Sequence, residues 1–330
     1  MSLKEDINYS LWCDFIERDF LENRFQEILE DKTIQGATSN PAIFESSISN
    51  SVAYKQQLDM LQANNAKTIY EELALTDIKR AAEILYPLHK ENTDDGFISI
   101  EVDPLLCDDA EGTIEEGLRL HSSISAENVM IKVPATEAGY IAMKELTSKG
   151  IHVNATLIFS PAQAIKCAEA LNEGIKDSNK DIKAVISVFV SRFDRMCDGE
   201  FISKGLETSR LGIINAIKCY YEINKFNNTN IRTLFASTGV KGNELAPSYY
   251  IDNLIFPNSV NTAPLSTIDD WVKDGIKEET EIISEDECNE YFQDLEKKNI
   301  NIEKVYNDLL TQGLDSFKVS FKDLLAKLIN

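Results

Sequence analysis

Val129-Met130-Ile131-Lys132-Val133-Pro134, then a helix-spaced stretch over 137–149, then Ile151-His152-Val153-Asn154-Ala155-Thr156: this run of sequence settles the architecture. The first segment is apolar almost throughout, as a parallel strand covered on both faces is. The middle segment has helical spacing, and Lys149-Gly150 supplies a C-terminal stop. Strand, helix and strand in that order imply a right-handed parallel connection. Lys132 is the exception inside its strand, because taking an ammonium group out of water costs several kcal/mol unless something compensates. Desolvation favours the neutral amine, and a neutral amine attacks carbonyls, so the position points to Schiff-base chemistry. The plain alternative is a strand lysine that snorkels, lies on an edge or pairs with a carboxylate.

Working outward, short runs rich in Val, Ile and Phe recur at 11–14, 34–38, 97–102, 129–133, 151–156, 184–188, 233–236 and 259–262. These eight candidate strands, separated by helix-spaced segments, match a closed TIM (β/α)₈ barrel, with a doubly wound open sheet as the structural runner-up. Residues 44–90 read as two or three helices, and 161–173 as one helix stopped at Gly174. From Ile268 onward the chain is acidic and polar, with helical patches around Trp271 and over 305–329. The expectation is a single domain over 1–330, in which 268–330 is a C-terminal helical appendage packed outside the barrel.

The formal charge of −22 removes the usual electrostatic basis for binding nucleic acid or an anionic membrane, so an anionic substrate would need a local basic pocket. Six scattered cysteines without a CxxC pair, and an N-terminus lacking an apolar signal core, fit a reduced cytoplasm. No run of about 18 apolar residues suggests a membrane span. His89, His121 and His152 lack ligand spacing, and neither a P-loop nor a GxGxxG fingerprint occurs, so no metal or cofactor is expected.

Strand alternation sorts the polar residues. In Phe97-Ile98-Ser99-Ile100-Glu101-Val102-Asp103 one face carries Ser99, Glu101 and Asp103, and in the segment beginning at Ile151 one face carries His152, Asn154 and Thr156. Asp14, Asn40 and Ser187 fall at or just past other strand ends. Barrel enzymes gather their catalytic groups at the carboxyl ends of the strands, so Asp14, Asn40, Glu101, Lys132, Asn154, Thr156 and Ser187 are expected in one pocket. Lys132 supplies a nucleophile, Asp14 and Glu101 divide acid and base roles, and Asn40, Asn154 and Ser187 offer hydrogen bonds to hydroxyl groups. An interior polar network holding Lys132 as an ion pair is the competing account. For phosphate, Arg192 after the sixth strand offers a bidentate contact, and Ser237 through Gly239 after the seventh offer a hydroxyl and backbone amides.

The order of motifs resembles the transaldolase family, on Trp12-Cys13-Asp14, Ala37-Thr38-Ser39-Asn40-Pro41, Glu101-Val102-Asp103, Ile131-Lys132-Val133-Pro134-Ala135-Thr136, Asn154-Ala155-Thr156-Leu157-Ile158-Phe159-Ser160, Phe189-Val190-Ser191-Arg192 and Ala236-Ser237-Thr238-Gly239. The resemblance implies a class I aldolase-type barrel moving a dihydroxyacetone unit between sugar phosphates in the pentose phosphate pathway. It implies that Lys132 forms the Schiff base, that Glu101 with Thr156 handles a water, and that Asp14 shuttles the proton of carbon–carbon cleavage. It further implies that Asn40, Asn154 and Ser187 hold the three-carbon unit while Arg192 and Ser237 bind phosphate. Some relatives with Ser at the Ser237 position place an arginine shortly after it; here Gly239, Val240 and Lys241 follow, so either Lys241 substitutes as a point charge or Arg192 acts with backbone amides. Two other functions compete: a fructose-6-phosphate aldolase-type lyase, which related sequences associate with a tyrosine where this chain has Phe189, and an inactive barrel kept as a binding scaffold. Sugar phosphates are the expected partners, and a monomer or homodimer the expected assembly.

Overall fold

The structure, a computed structural model, describes residues 3–328. Eight parallel strands close into a barrel in sequence order: β1 (Ser10–Cys13), β2 (Gly36–Thr38), β3 (Phe97–Glu101), β4 (Val129–Pro134), β5 (His152–Ile158), β6 (Ala184–Phe189), β7 (Ile231–Ala236) and β8 (Ser259–Ala263). β8 pairs back onto β1, with Trp12 opposite Thr262, which excludes the open sheet. Each strand expected from the sequence is present, with ends moved by at most two residues.

The strands alternate as their sequences dictate. Ile98, Ile100, Val102, Val129, Ile131, Val153 and Ile186 join the core between barrel and helices. The opposite parity fills the interior in layers, as barrels of this type do. Arg232 and Ser10 lie at the amino ends of the strands, Trp12, Phe97, Met130, Val185, Leu234 and Val260 form an apolar middle, and Thr38, Glu101, Lys132, Asn154 and Ser187 lie toward the carboxyl ends.

The helix Glu137–Ser148 stops where Lys149-Gly150 implied, with Gly150 in the left-handed region at φ +82°. Gly174 does not end its helix, which runs over Pro161–Asp177. Its role is close packing: a Cβ there would lie 2.0 Å from Thr147 Oγ1 and 2.3 Å from the Lys144 carbonyl oxygen, so glycine lets two neighbouring helices touch. The segment before β3 holds the helices Pro41–Asn50, Lys55–Leu61 and Ala66–Glu91. Beyond β8 come Leu265–Asp274, Glu285–Lys297 and Ile302–Lys327; the end expected at Ile329 lies outside the described residues. Glu285–Lys297 was not expected, although Ser284 and Glu287 form a capping box that marks its start. No helix among the described residues is long and apolar enough to cross a membrane.

Candidate active site

Adjacent strands in register place Glu101 beside Lys132 and Lys132 beside Asn154. Lys132 is 5% exposed and Glu101 6%. Lys132 Nζ donates to the Ser39 carbonyl oxygen at 3.1 Å and stands 3.9 Å from Glu101 Oε2. Neither Glu101 oxygen has a hydrogen-bond partner, and the buried Thr156 hydroxyl has none either. A carboxylate in that position is poorly served, and burial pushes Glu101 up to about 7, with the Lys132 charge opposing the rise and Asp14 adding to it. Asp14 also titrates above its ordinary range because of burial, while Lys132 and a 2.6 Å bond from Thr38 Oγ1 pull the other way. Against the competing account, a satisfied structural ion pair, Lys132 at 3.9 Å is the one partner beside Glu101, and no donor among the described residues stands within hydrogen-bond distance of its oxygens.

Local structure explains the remaining placements. Asn40 caps the helix Pro41–Asn50 through Oδ1, which accepts from Ile43 N at 3.0 Å, so its amide group is free to turn toward the barrel mouth. Ser187 Oγ donates to Asn154 Oδ1 at 2.7 Å, tying β6 to β5. In β5 the pairing with β6 shifts between Ala155 and Ile158, and Leu157 takes a left-handed φ of 60°, an uncommon conformation for a buried leucine. This bulge follows Thr156 directly. No short-range sequence signal announces it.

A cleft of about 270 Å³ opens at the carboxyl ends of the strands. Of the residues picked out in the sequence, Asp14, Asn40, Lys132, Thr156, Ser187, Phe189, Arg192, Ser237 and Lys241 line it. Glu101 and Asn154 do not line it, but touch those that do, the first through Lys132 and the second through Ser187.

Several residues of the cleft wall were not singled out in the sequence, among them Arg195 and Phe317. Arg195 lies one turn after Arg192 on the helix Ser191–Ser203, and Phe317 comes from the C-terminal helix. An i, i+3 arginine pair was the available signal for the first. The second comes from the tail expected to pack outside the barrel, whose helix carries an aromatic stripe to the barrel mouth. Of the eight arginines in the chain, Arg18, Arg24, Arg80, Arg119, Arg210 and Arg232 are ion-paired with carboxylates, whereas Arg192 and Arg195 have no such pair among the described residues. Burial first, and the Arg195 charge second, press Arg192 down to about 10. Arg192 also lies over the Phe189 ring, 4.9 Å from its centroid. Across from it, Ser237 Oγ is 3.1 Å from Ser191 Oγ, and Ser237 itself adopts φ 56°. Two uncompensated guanidinium groups, a lysine and a pair of hydroxyls on one wall suit an anion with several oxygens.

Comparison with known proteins identifies the family. The family model described as transaldolase/fructose-6-phosphate aldolase matches residues 11–328. A transaldolase from Campylobacter jejuni subsp. jejuni (strain 81-176) is 48% identical, over 97% of this chain and 99% of its own length. A transaldolase from Helicobacter pylori (strain Shi470) is 46% identical, over 96% of this chain and 98% of its own. A fructose-bisphosphate aldolase structure from Campylobacter jejuni aligns with 98% of this chain at a TM-score of 0.41 and 10% identity, too distant to carry weight. The chain belongs to the transaldolase/fructose-6-phosphate aldolase family.

Proposed function

We infer that this protein is a transaldolase of the pentose phosphate pathway, moving a dihydroxyacetone unit from sedoheptulose 7-phosphate to glyceraldehyde 3-phosphate, and from fructose 6-phosphate to erythrose 4-phosphate in reverse. The observation that carries the reading is a buried lysine amine at the mouth of the barrel, 3.9 Å from a carboxyl group whose oxygens are both unpartnered.

In this reading the Lys132 amine adds to the ketone carbon of the donor, with Glu101 receiving the proton the amine must lose. Glu101, poised near 7 by burial, and the Thr156 hydroxyl then deliver a proton to the carbinolamine oxygen so that it leaves as water. The resulting iminium is an electron sink. Asp14 takes the proton of the adjacent hydroxyl, the carbon–carbon bond breaks, and its electron pair moves onto the C=N unit to give a neutral enamine. A carboxyl raised by burial suits that proton, which Asp14 must return when the acceptor aldehyde adds. Asn40, Asn154 and Ser187 hold the hydroxyl groups of the three-carbon unit meanwhile. Arg192, with Ser237 and Lys241, takes the phosphate, and Arg195 adds the second guanidinium that the seventh-strand loop lacks. Phe189 presents a ring without a hydroxyl, which favours transfer over release by a lyase of the same family. The same reading places the enzyme in the cytoplasm as a monomer or homodimer, to be checked by sedimentation of the purified chain.

Borohydride added with fructose 6-phosphate is expected to trap a three-carbon adduct on the tryptic peptide holding Lys132, and Lys132→Ala to abolish it. An unlabelled peptide in an enzyme that turns over would overturn the mechanism.

A further inference from the structure

Along the C-terminal helix Ile302–Lys327, Gly313, Phe317 and Phe321 recur four residues apart and share one face. Gly313 rests on the wall of the cleft: a Cβ there would lie 3.0 Å from Leu157 Cδ2, 3.3 Å from Phe159 Cε2 and 3.4 Å from Arg192 Nη1. One turn on, Phe317 is 6% exposed and lines the cleft, its ring centroid 6.0 Å from Lys132 Nζ. Phe321 packs edge-on against Tyr70 at 5.4 Å, and Lys327 pairs with Glu45 on the helix that Asn40 caps. The helix is therefore anchored at both ends of the stripe, and the ring between the anchors is the one that faces the amine.

We propose that Phe317 is a specificity-determining residue for transfer, its ring shielding the lysine-bound enamine from solvent until an acceptor aldehyde arrives. The proposal rests on the Schiff-base reading of Lys132 given above. Loss of the three-carbon unit as free dihydroxyacetone begins when the enamine carbon takes a proton and the nitrogen lone pair closes the C=N bond. One water then adds to the iminium. Its oxygen becomes the ketone oxygen, and both its hydrogens end on nitrogen, which departs as the Lys132 ammonium. Transfer instead gives the enamine carbon to the acceptor aldehyde. A hydrocarbon ring over the site donates no exchangeable proton and displaces bulk water, and such exclusion protects reactive intermediates from hydrolysis. The part of the cleft wall that carries Arg192 and the exposed Arg195 is left for the phosphorylated acceptor.

The test compares the full-length enzyme with Phe317→Ala, Phe317→Leu and Gly313→Ala. Gly313→Ala keeps the ring but crowds Leu157 and Phe159, so that the helix or those side chains must give by a few tenths of an ångström. Free dihydroxyacetone formed from fructose 6-phosphate without acceptor is measured against transfer to erythrose 4-phosphate, with borohydride trapping on Lys132 run in parallel. For Phe317→Ala the ratio of release to transfer is expected to rise about tenfold or more, about 1.4 kcal/mol in relative barrier. Gly313→Ala should raise it less, Phe317→Leu should restore most of the wild-type ratio, and all variants should still be trapped. A general structural defect would lower both rates and leave the ratio alone. A ratio within about twofold of wild type in both Phe317→Ala and Gly313→Ala would overturn the proposal, since water exclusion is then not what the ring provides. If Phe317→Ala does not fold, the other two variants decide by the same ratio. Failure of trapping in the wild-type enzyme would sink the Schiff-base reading itself, a separate result.

Discussion

At the amino ends of the strands Arg232 donates to the Asn8 carbonyl at 2.7 Å, to Ser10 Oγ at 2.8 Å, to the Ser259 carbonyl at 2.7 Å and to the Asp94 carbonyl at 3.1 Å. Its partner Asp95, 3.5 Å away, also accepts from Ser10 at 2.7 Å and meets Lys4 at 2.6 Å. At the carboxyl ends Lys132 has one hydrogen bond, to the Ser39 carbonyl, and Glu101 has none. Both regions bury opposite charges inside the same barrel, separated by the Trp12, Phe97 and Met130 layer. The difference is the degree of saturation. A buried charge with most of its hydrogen bonds made, as Arg232 has with Nε alone left over, holds neighbouring strands together, whereas one left short of partners is costly to the fold and available to a reactant. Stability is concentrated at one end and chemistry at the other.

Four substitutions sharpen or break that contrast. Lys132→Met is expected to lower turnover by about 10⁴-fold or more, as loss of a covalent nucleophile does, with little change in the unfolding midpoint. A large drop in stability would mean that the mouth is a structural ion pair after all. Arg232→Met should do the reverse, because leaving four acceptors without their donor, with Asp95 held by Lys4 alone of its two cations, costs about 3–5 kcal/mol in denaturant unfolding while turnover per folded molecule holds. If that variant loses turnover without losing stability, the two ends are not specialised.

Glu101→Gln should reduce turnover by roughly 10²–10³-fold, in the range of a lost general acid and base. Its pH behaviour is the finer check. With the folded carboxyl raised to about 7, the wild-type rate should climb through that pH as Glu101 ionises, and the variant should lose that limb. Stability runs the other way. The folded protein prefers protonated Glu101, so the cost of ionising it is absent below the unfolded value near 4.5, grows as pH rises, and is complete above about 7. Glu101→Gln should therefore be the more stable protein at pH 8, by about 3 kcal/mol, and gain little at pH 4. Equal stability at both values would mean that Glu101 is better solvated than its surroundings indicate. Arg195→Ala has the smallest expected effect, a KM for sugar phosphate raised by about tenfold with kcat nearly kept, as loss of one charged hydrogen bond gives. An unchanged KM would assign phosphate to Arg192, Ser237 and Lys241 alone.

What could be read from the chain follows the range of each signal. Period-two alternation is local, so the inward face of β3 and β5, and with it Glu101, Asn154 and Thr156, is visible in the sequence, and Lys132 stands out as the one charge in the apolar run of β4. The barrel then brought Asp14, Asn40 and Ser187 to the same end, because strand ends are fixed by closure. Gly174 was misread because a helix-ending glycine and a helix-packing glycine look alike along the chain; only the nearness of Lys144 and Thr147 separates them. Arg195 and Phe317 were missed for a related reason. Each sits on an ordinary amphipathic helix, and what makes it notable is a cleft assembled from distant strands. The left-handed Leu157 is held by packing and register.

The arginine pair has a further consequence for how substrate arrives. A molecule with net charge −22 repels phosphate dianions at long range, while Arg192 and Arg195 attract them only close to the entrance. Added salt shortens the reach of the outer repulsion before it weakens the attraction at contact. Capture of sugar phosphates should therefore quicken as a dilute buffer is brought toward physiological ionic strength, and slow again in concentrated salt: the acidic exterior acts as a toll that small ions lift.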